Sequence, residues 1–286
     1  MKKFTLLSML SCMSLGMMAQ TAVSDADLQN AYSSRTYSMR VCCHDPSVVV
    51  DDISNPNKPI YYIYGSHLGR GKTYQSSNYQ NWATFKTGEE NTGTNNSLFA
   101  DVNGKAINFA DAYSTQAVKK VKNYQGVEVD FPNFDAHGWQ CATNDKGDAN
   151  FPNTIQGMQW APDVIYNKTM KKWCMYMSIN GDFWCSSIVC LTSDNVEGPW
   201  VYQGPVITSG FSGRFPHNDG SKGDSWKETD LSIALGCTSL PDRYSVTSKD
   251  NWGNYWPNCI DPCVFYDEDD NLWMSYGSWS GGIYMI

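Results

Sequence analysis

Two carboxylates stand out by type and by place. Asp45 and Asp261 each precede a proline and a strand-like run, in Asp45-Pro46-Ser47-Val48-Val49-Val50 and Asp261-Pro262-Cys263-Val264-Phe265-Tyr266. Two carboxylates facing one cavity suit glycoside hydrolysis, where one side chain activates water and another protonates the leaving oxygen. An Asp before Pro also caps turns, so one copy alone says little. Two copies at matching positions of a repeat shift the reading toward a site.

The repeat has a third member between them. Ala161-Pro162-Asp163-Val164-Ile165-Tyr166 opens in the same way, and all three copies continue through a polar turn into a second aromatic-rich run. These second runs are Ile60-Tyr61-Tyr62-Ile63-Tyr64-Gly65-Ser66, Trp173-Cys174-Met175-Tyr176-Met177 and Leu272-Trp273-Met274-Ser275-Tyr276-Gly277-Ser278. From the proline to the second-run tyrosine is fourteen residues in the later copies and four more in the first. Each unit reads as a β-hairpin, and further strands are expected at 73–76, 188–192 and 200–202. No stretch carries a sustained helical period.

Repeated antiparallel units point to a β-propeller, with a β-sandwich as the alternative. The innermost strands of a propeller start at its axis, which would bring Asp45 and Asp261 to one cavity. The copies begin 116 and 100 residues apart, more than the ~40–50 of a compact blade. Insertions over 87–154 and 209–257 account for the excess and read either as loops lining a site or as surface decoration. With the third copy opening at Asp261 in a sequence given to Ile286, two to three blades are expected where a ring needs at least four.

The motifs resemble glycoside hydrolase family 43. His44-Asp45-Pro46-Ser47-Val48, Trp160-Ala161-Pro162-Asp163-Val164 and Ile260-Asp261-Pro262-Cys263-Val264-Phe265 occur in that family's order, and Gly277-Ser278-Trp279-Ser280-Gly281-Gly282-Ile283 is similar to its arabinanase branch. The resemblance implies an all-β, five-bladed propeller and an inverting hydrolase of arabinan-type plant cell-wall polysaccharides. Residues 20–286 would then form the N-terminal part of the catalytic domain, with blade hairpins starting near 45, 161 and 261. It further implies that Asp45 is the general base and that Asp261 raises and orients the acid, a glutamate opening the next blade and absent from this sequence. His44, Trp160, Asp163, Ser278 and Trp279 become candidates for contacting sugar, and His67 a weaker one. No cofactor is required, though a structural Ca2+ on the axis, with ligands mostly outside the chain, fits the family. β-Xylosidase or α-L-arabinofuranosidase action, or a non-catalytic glycan-binding propeller, are the alternatives.

Several features are set aside. Glu197-Gly198-Pro199-Trp200 lies where an outer-blade turn is expected, not an acid. Gly69-Arg70-Gly71-Lys72-Thr73 lacks the first glycine of a phosphate loop and a following helix. No G-x-S-x-G elbow supports a serine nucleophile. The acidic run Asp267-Glu268-Asp269-Asp270 reads as a hairpin turn without calcium-loop spacing, and no metal site is assigned.

Composition agrees with a sugar partner. Aromatics make up 14% of the 286 residues and charged residues 17%, with a net charge of -8 that disfavours nucleic acid. Lys2 and Lys3 followed by the apolar run from Phe4 to Ala19 read as a signal peptide over residues 1–19, hence export. A lipid anchor through Cys12 stays open. No transmembrane segment is expected, since the run falls short of the ~20 residues that span a bilayer. Of ten cysteines, Cys12 leaves with the signal, and most of the rest read as buried small hydrophobes, with one or two disulfides left open.

Overall fold

The computed structural model describes residues 26, 41, 43–67, 72–78, 81–87, 98–107, 109–113, 115–131, 133–136, 158–180, 186–209, 227, 229–239, 258–278 and 282–286. The signal-like residues 1–19, Trp279 and the 69–71 stretch lie outside these. Contacts divide the chain into units 1–41 and 42–286, and all the sheets belong to the second.

The β-branched and aromatic runs become strands where the repeat places them. β1 (Ser47–Asp51), β2 (Ile60–Tyr64), β3 (Lys72–Ser76) and β4 (Ala83–Thr87) form a four-stranded antiparallel sheet in chain order. Next come β5 (Phe99–Ala100), β6 (Ala106–Ile107), the short helix α1 (Phe109–Ala112) and the hairpin β7 (Lys120–Lys122) and β8 (Glu128–Asp130). The second repeat builds β9 (Met158–Asn167), β10 (Lys172–Asn180), β11 (Ser186–Ser193) and β12 (Trp200–Thr208). After α2 (Asp230–Ile233), the third repeat gives the three-stranded sheet β13 (Cys263–Tyr266), β14 (Leu272–Ser278) and β15 (Gly282–Met285). The chain is all-β, with two complete propeller blades and three strands of another among the described residues.

Each repeat hairpin is turned by the same device. Asp51 and Asn167 end the first strand and Asp267 directly follows it, and the side-chain Oδ1 of each accepts two backbone N–H bonds from the turn. The donors are Ile53 and Ser54, then Thr169 and Met170, then Asp269 and Asn271. Asp267 also receives Asn271 Nδ2 and Trp273 Nε1, and these bonds, led by the indole, hold its carboxyl down at about 2. The acidic run is therefore the turn that its sequence suggests.

Two cores hold the blades face to face. Val49, Tyr62 and Tyr64 of the first blade pack on Val164, Trp173, Met175 and Met177 of the second, where fully burying one such side chain contributes about 1.5–3 kcal/mol. Tyr62 also donates to Glu197, and Tyr64 to the carbonyl of Val196. Ile188 and Ile207 of the second blade pack on Val264, Met274 and Tyr276 of the third.

The first insertion is not decoration in its described part. β5 pairs in parallel with β12 and widens the second sheet to six strands, in the order β6-β5-β12-β11-β10-β9. Leu98, Phe99, Tyr113, Phe131 and Phe134 enter the larger core, and the Tyr202 hydroxyl donates to the Phe134 carbonyl. Apolar residues spaced irregularly among Asn, Gly and Asp hide this role at the level of composition.

Equal spacing in the second and third copies also conceals a difference. Asp163 pairs with Tyr176, whereas the equivalent Cys263 pairs with Ser275 rather than Tyr276. A one-residue change of register turns a strand's side chains to the opposite face. Trp173 is therefore buried and Trp273 exposed, although they occupy the same place in the repeat.

Candidate active site

The three blade openings share an uncommon backbone. Asp45, Ala161 and Asp261 have φ of 48°, 39° and 53°. A residue before proline normally stays extended, and a non-glycine in the left-handed region costs about 1–3 kcal/mol. The surrounding bonds explain how it is held. The Ala161 N–H donates to Ser66 Oγ at 2.8 Å, and the Asp261 N–H donates to Ser178 Oγ at 2.9 Å. In each case the serine at the end of one blade's second strand fixes the opening of the next. Ser278, buried at the end of β14, is the third serine of this series.

Around Asp45 the contacts become chemical. Its Oδ2 accepts from Ser66 Oγ at 2.5 Å and meets His44 Nδ1 at 2.6 Å. The two side chains remain 40% and 78% exposed, so the carboxylate is oriented yet open to a small molecule. Ser66 thus bonds the first opening and the second at once. Gly65 makes this possible, because a Cβ there would sit 2.1 Å from Cys43 Sγ and 2.7 Å from the His44 carbonyl. His67 follows in a left-handed conformation, with its N–H bonded to the Gln159 carbonyl and its ring centroid 6.4 Å from that of His44.

Asp261 belongs to the same electrostatic cluster. Burial pushes its carboxyl up, the Asp45 charge pushes it further, and His44 partly offsets both. The charge of the first opening is thus felt at the third. Ala161 lies between them in chain order, with the same backbone and no carboxylate.

Asp163 has a different position from the opening pair. Its Oδ1 accepts from Ser47 Oγ at 2.8 Å and from its neighbour Val164 N–H at 3.1 Å, and its Oδ2 accepts from Val264 N–H at 2.6 Å. Burial raises this carboxyl, and the three bonds pull it back. One side chain of the middle blade thus ties the first strands of all three blades together. Trp160 is half-buried just before the second opening, and Trp279 lies outside the described residues. Glu197 accepts from Tyr62 at the junction of the first two blades. Ser66 escaped the sequence reading as a site residue, although Gly65-Ser66, Ser178 and Gly277-Ser278 at matching places were its signal.

A cavity of about 580 Å³ runs along the first strands and is lined by Val48, Val50, Ile53, Ile165, Tyr166 and Tyr266 among others. None of the opening carboxylates lines it; the charged residues on its walls are Asp52, Lys168 and Lys171. Among the described residues, no group of three or more His, Cys, Asp or Glu side chains could hold a metal ion, and no helix is long and apolar enough to cross a membrane.

No family model matches the chain. It is 25% identical over 245 residues to the extracellular endo-α-(1→5)-L-arabinanase of Thermotoga petrophila, covering 85% of this chain and 35% of that protein. It is 24% identical over 257 residues to extracellular endo-α-(1→5)-L-arabinanase 2 of Bacillus subtilis, covering 90% and 37%. The chain therefore spans little more than a third of the length of these curated relatives. Among solved structures it is similar to a family 43 glycoside hydrolase of Bacillus licheniformis, with TM-score 0.48, 24% identity, and 86% and 37% of the two chains covered. Its opening motifs stand in the order found in glycoside hydrolase family 43, and over most of its length the chain is similar to the two curated arabinanases.

Proposed function

We propose that the chain carries the base side of an inverting hydrolase acting on α-1,5-linked arabinan, exported to the periplasm, cell surface or medium. The observation that supports this reading best is the pair of left-handed openings, whose carboxylates Asp45 and Asp261 interact across one region. Asp45 is oriented by Ser66 and His44 and remains accessible, as a group that takes a proton from water must be. Asp261, whose carboxyl is raised by burial and by the Asp45 charge, adjusts the field around the acid. The acid is a glutamate outside this sequence, placed about 6.5–9.5 Å from the base so that water fits between them. Trp160 and His44 line the approach of the sugar, and Asp163 acts through the strands it ties.

Release of reducing sugar from linear arabinan tests the proposal. A protein that includes the remaining blades should hydrolyse it, while its Asp45→Asn variant should bind arabino-oligosaccharide and hydrolyse about 10²–10⁴ times more slowly. The 286 residues alone should release almost none. Undiminished hydrolysis by Asp45→Asn would move the base elsewhere, and robust turnover by the 286 residues would mean that the acid is among them.

A further inference from the structure

Ser66 does two jobs, and the second blade separates them. Its Oγ accepts the Ala161 N–H at 2.8 Å, and Ser178 Oγ accepts the Asp261 N–H at 2.9 Å in the same way. Holding the next opening is therefore common to both serines. The opening of Ser178's own blade is Ala161, which has no carboxylate. The opening of Ser66's own blade is Asp45, whose Oδ2 lies 2.5 Å from Ser66 Oγ. A backbone bond from the Ser66 N–H to the His44 carbonyl at 2.8 Å fixes the serine beside that opening.

The direction of these bonds follows from the groups. An ionised carboxylate only accepts, so Ser66 commits its single hydroxyl proton to Asp45 Oδ2. For the same reason His44 directs an Nδ1 proton at that oxygen, 2.6 Å away. An N–H that donates to a hydroxyl strengthens the bond which that hydroxyl gives in turn. The chain from the Ala161 N–H through Ser66 to Asp45 thus runs in one direction and ends on one oxygen. Both donors meet Oδ2, and among the described residues none meets Oδ1.

We propose that Ser66 is a positioning residue for the base, turning Asp45 so that Oδ1 is the oxygen that takes the proton from water. It acts through Asp45 and touches no reacting atom. In the step it serves, water gives one proton to Oδ1 while its oxygen bonds the anomeric carbon. The glycosidic bond breaks, and the leaving oxygen takes the proton of the glutamate outside this sequence. The inference rests on the proposed hydrolysis and adds to it a hydroxyl that the carboxylates alone do not reveal.

A double-mutant cycle on linear arabinan, in the protein that includes the remaining blades, tests the role. Ser66→Ala should lower kcat about 10–100-fold, the scale of a displaced catalytic group, and leave KM within about threefold. In the Asp45→Asn background the same substitution should change the residual rate less than about twofold, because no base is left to position. Loss of the Ala161 bond would act equally in both backgrounds, so an equal loss in each would overturn the inference. A kcat unchanged by Ser66→Ala, beside an Asp45→Asn variant that has lost hydrolysis, would overturn it and leave the hydrolase reading in place. Undiminished hydrolysis by Asp45→Asn would overturn both. Proton NMR of the wild-type 286-residue chain needs no variant to fold. The Ser66 hydroxyl, on a residue 8% exposed and bonded on both sides, should show its own signal and a nuclear Overhauser contact to the Ala161 N–H. A hydroxyl averaged with water would overturn the positioning bond.

Discussion

The first and third blade openings have the same backbone and different surroundings. Asp45 is held by a hydroxyl and an imidazole at its own carboxylate, whereas Asp261 is held through its backbone N–H. The second opening has the conformation without the acid. The left-handed turn is thus a property of the repeat, held at the second and third openings by a serine of the preceding blade, and chemistry is added by the residue placed on it. A strained conformation shared by three copies argues for a structural origin first. What points to function is the presence of carboxylates at two of the three and the bonds that orient one of them.

The largest test of this contrast is Asp45→Asn in the protein with its remaining blades, with the rate loss given above and little change in melting temperature. Asp163→Ala comes next and should act on folding. It removes the acceptor of the buried Val264 N–H and of the Ser47 hydroxyl, and bonds to a charged group are worth about 1.5–3 kcal/mol. Urea unfolding should show a loss of roughly 2–3 kcal/mol. If Asp163→Ala leaves stability unchanged, the tie between the three first strands is not what sets the openings.

The openings and their order were legible in the sequence because Asp-Pro and Ala-Pro recur ahead of β-branched strands. Strand identity followed for the same reason, and β3, β11 and β12 include the strands expected at 73–76, 188–192 and 200–202. The register was hidden. Fourteen residues separate the proline from the tyrosine in two copies, yet the second copy's strands pair from Lys172↔Asn167 and the third's from Leu272↔Tyr266, one residue out of step. The role of Asp163 was also hidden, since its partners Ser47 and Val264 lie 116 and 101 residues away. Nothing local marks a carboxylate as a tie between blades. The insertion residues Tyr113 and Phe134 gave no periodic signal because they reach the core from a short helix and an irregular segment.

Titration separates the raised carboxyls from the rest. Asp230, buried in α2, is pushed up to about 7 by burial, and bonds from Thr208 only partly counter this. The folded chain keeps that proton at pH values where the unfolded chain, with a carboxyl near 4, has lost it. This contribution to stability is whole below pH 4 and declines as pH rises toward 7. Asp261 acts in the same direction over its own, smaller window. Asp230→Asn should flatten the fall in urea midpoint between pH 4 and 7, and Asp261→Asn should flatten it less. A midpoint that rises across this range in the wild type, with no change in either variant, would show that both groups ionise as freely as in the unfolded chain.

The smallest expected effect bears most directly on how the openings arise. Ala161→Asp places a third carboxylate on a left-handed turn that already accepts one in the first and third blades. Aspartate tolerates this region better than most residues, and the Ser66 bond to the backbone N–H of residue 161 is untouched. The change should alter stability by less than about 1 kcal/mol, within the usual range for partly exposed sites. Its charge would lie between Asp45 and Asp261 in blade order, so like-charge repulsion should raise the Asp261 carboxyl further. Carboxyl titration by NMR would show that rise as a displaced Asp261 curve. Unfolding of Ala161→Asp would instead mean that the second opening differs from its neighbours in more than its side chain, and that the backbone alone does not define the site.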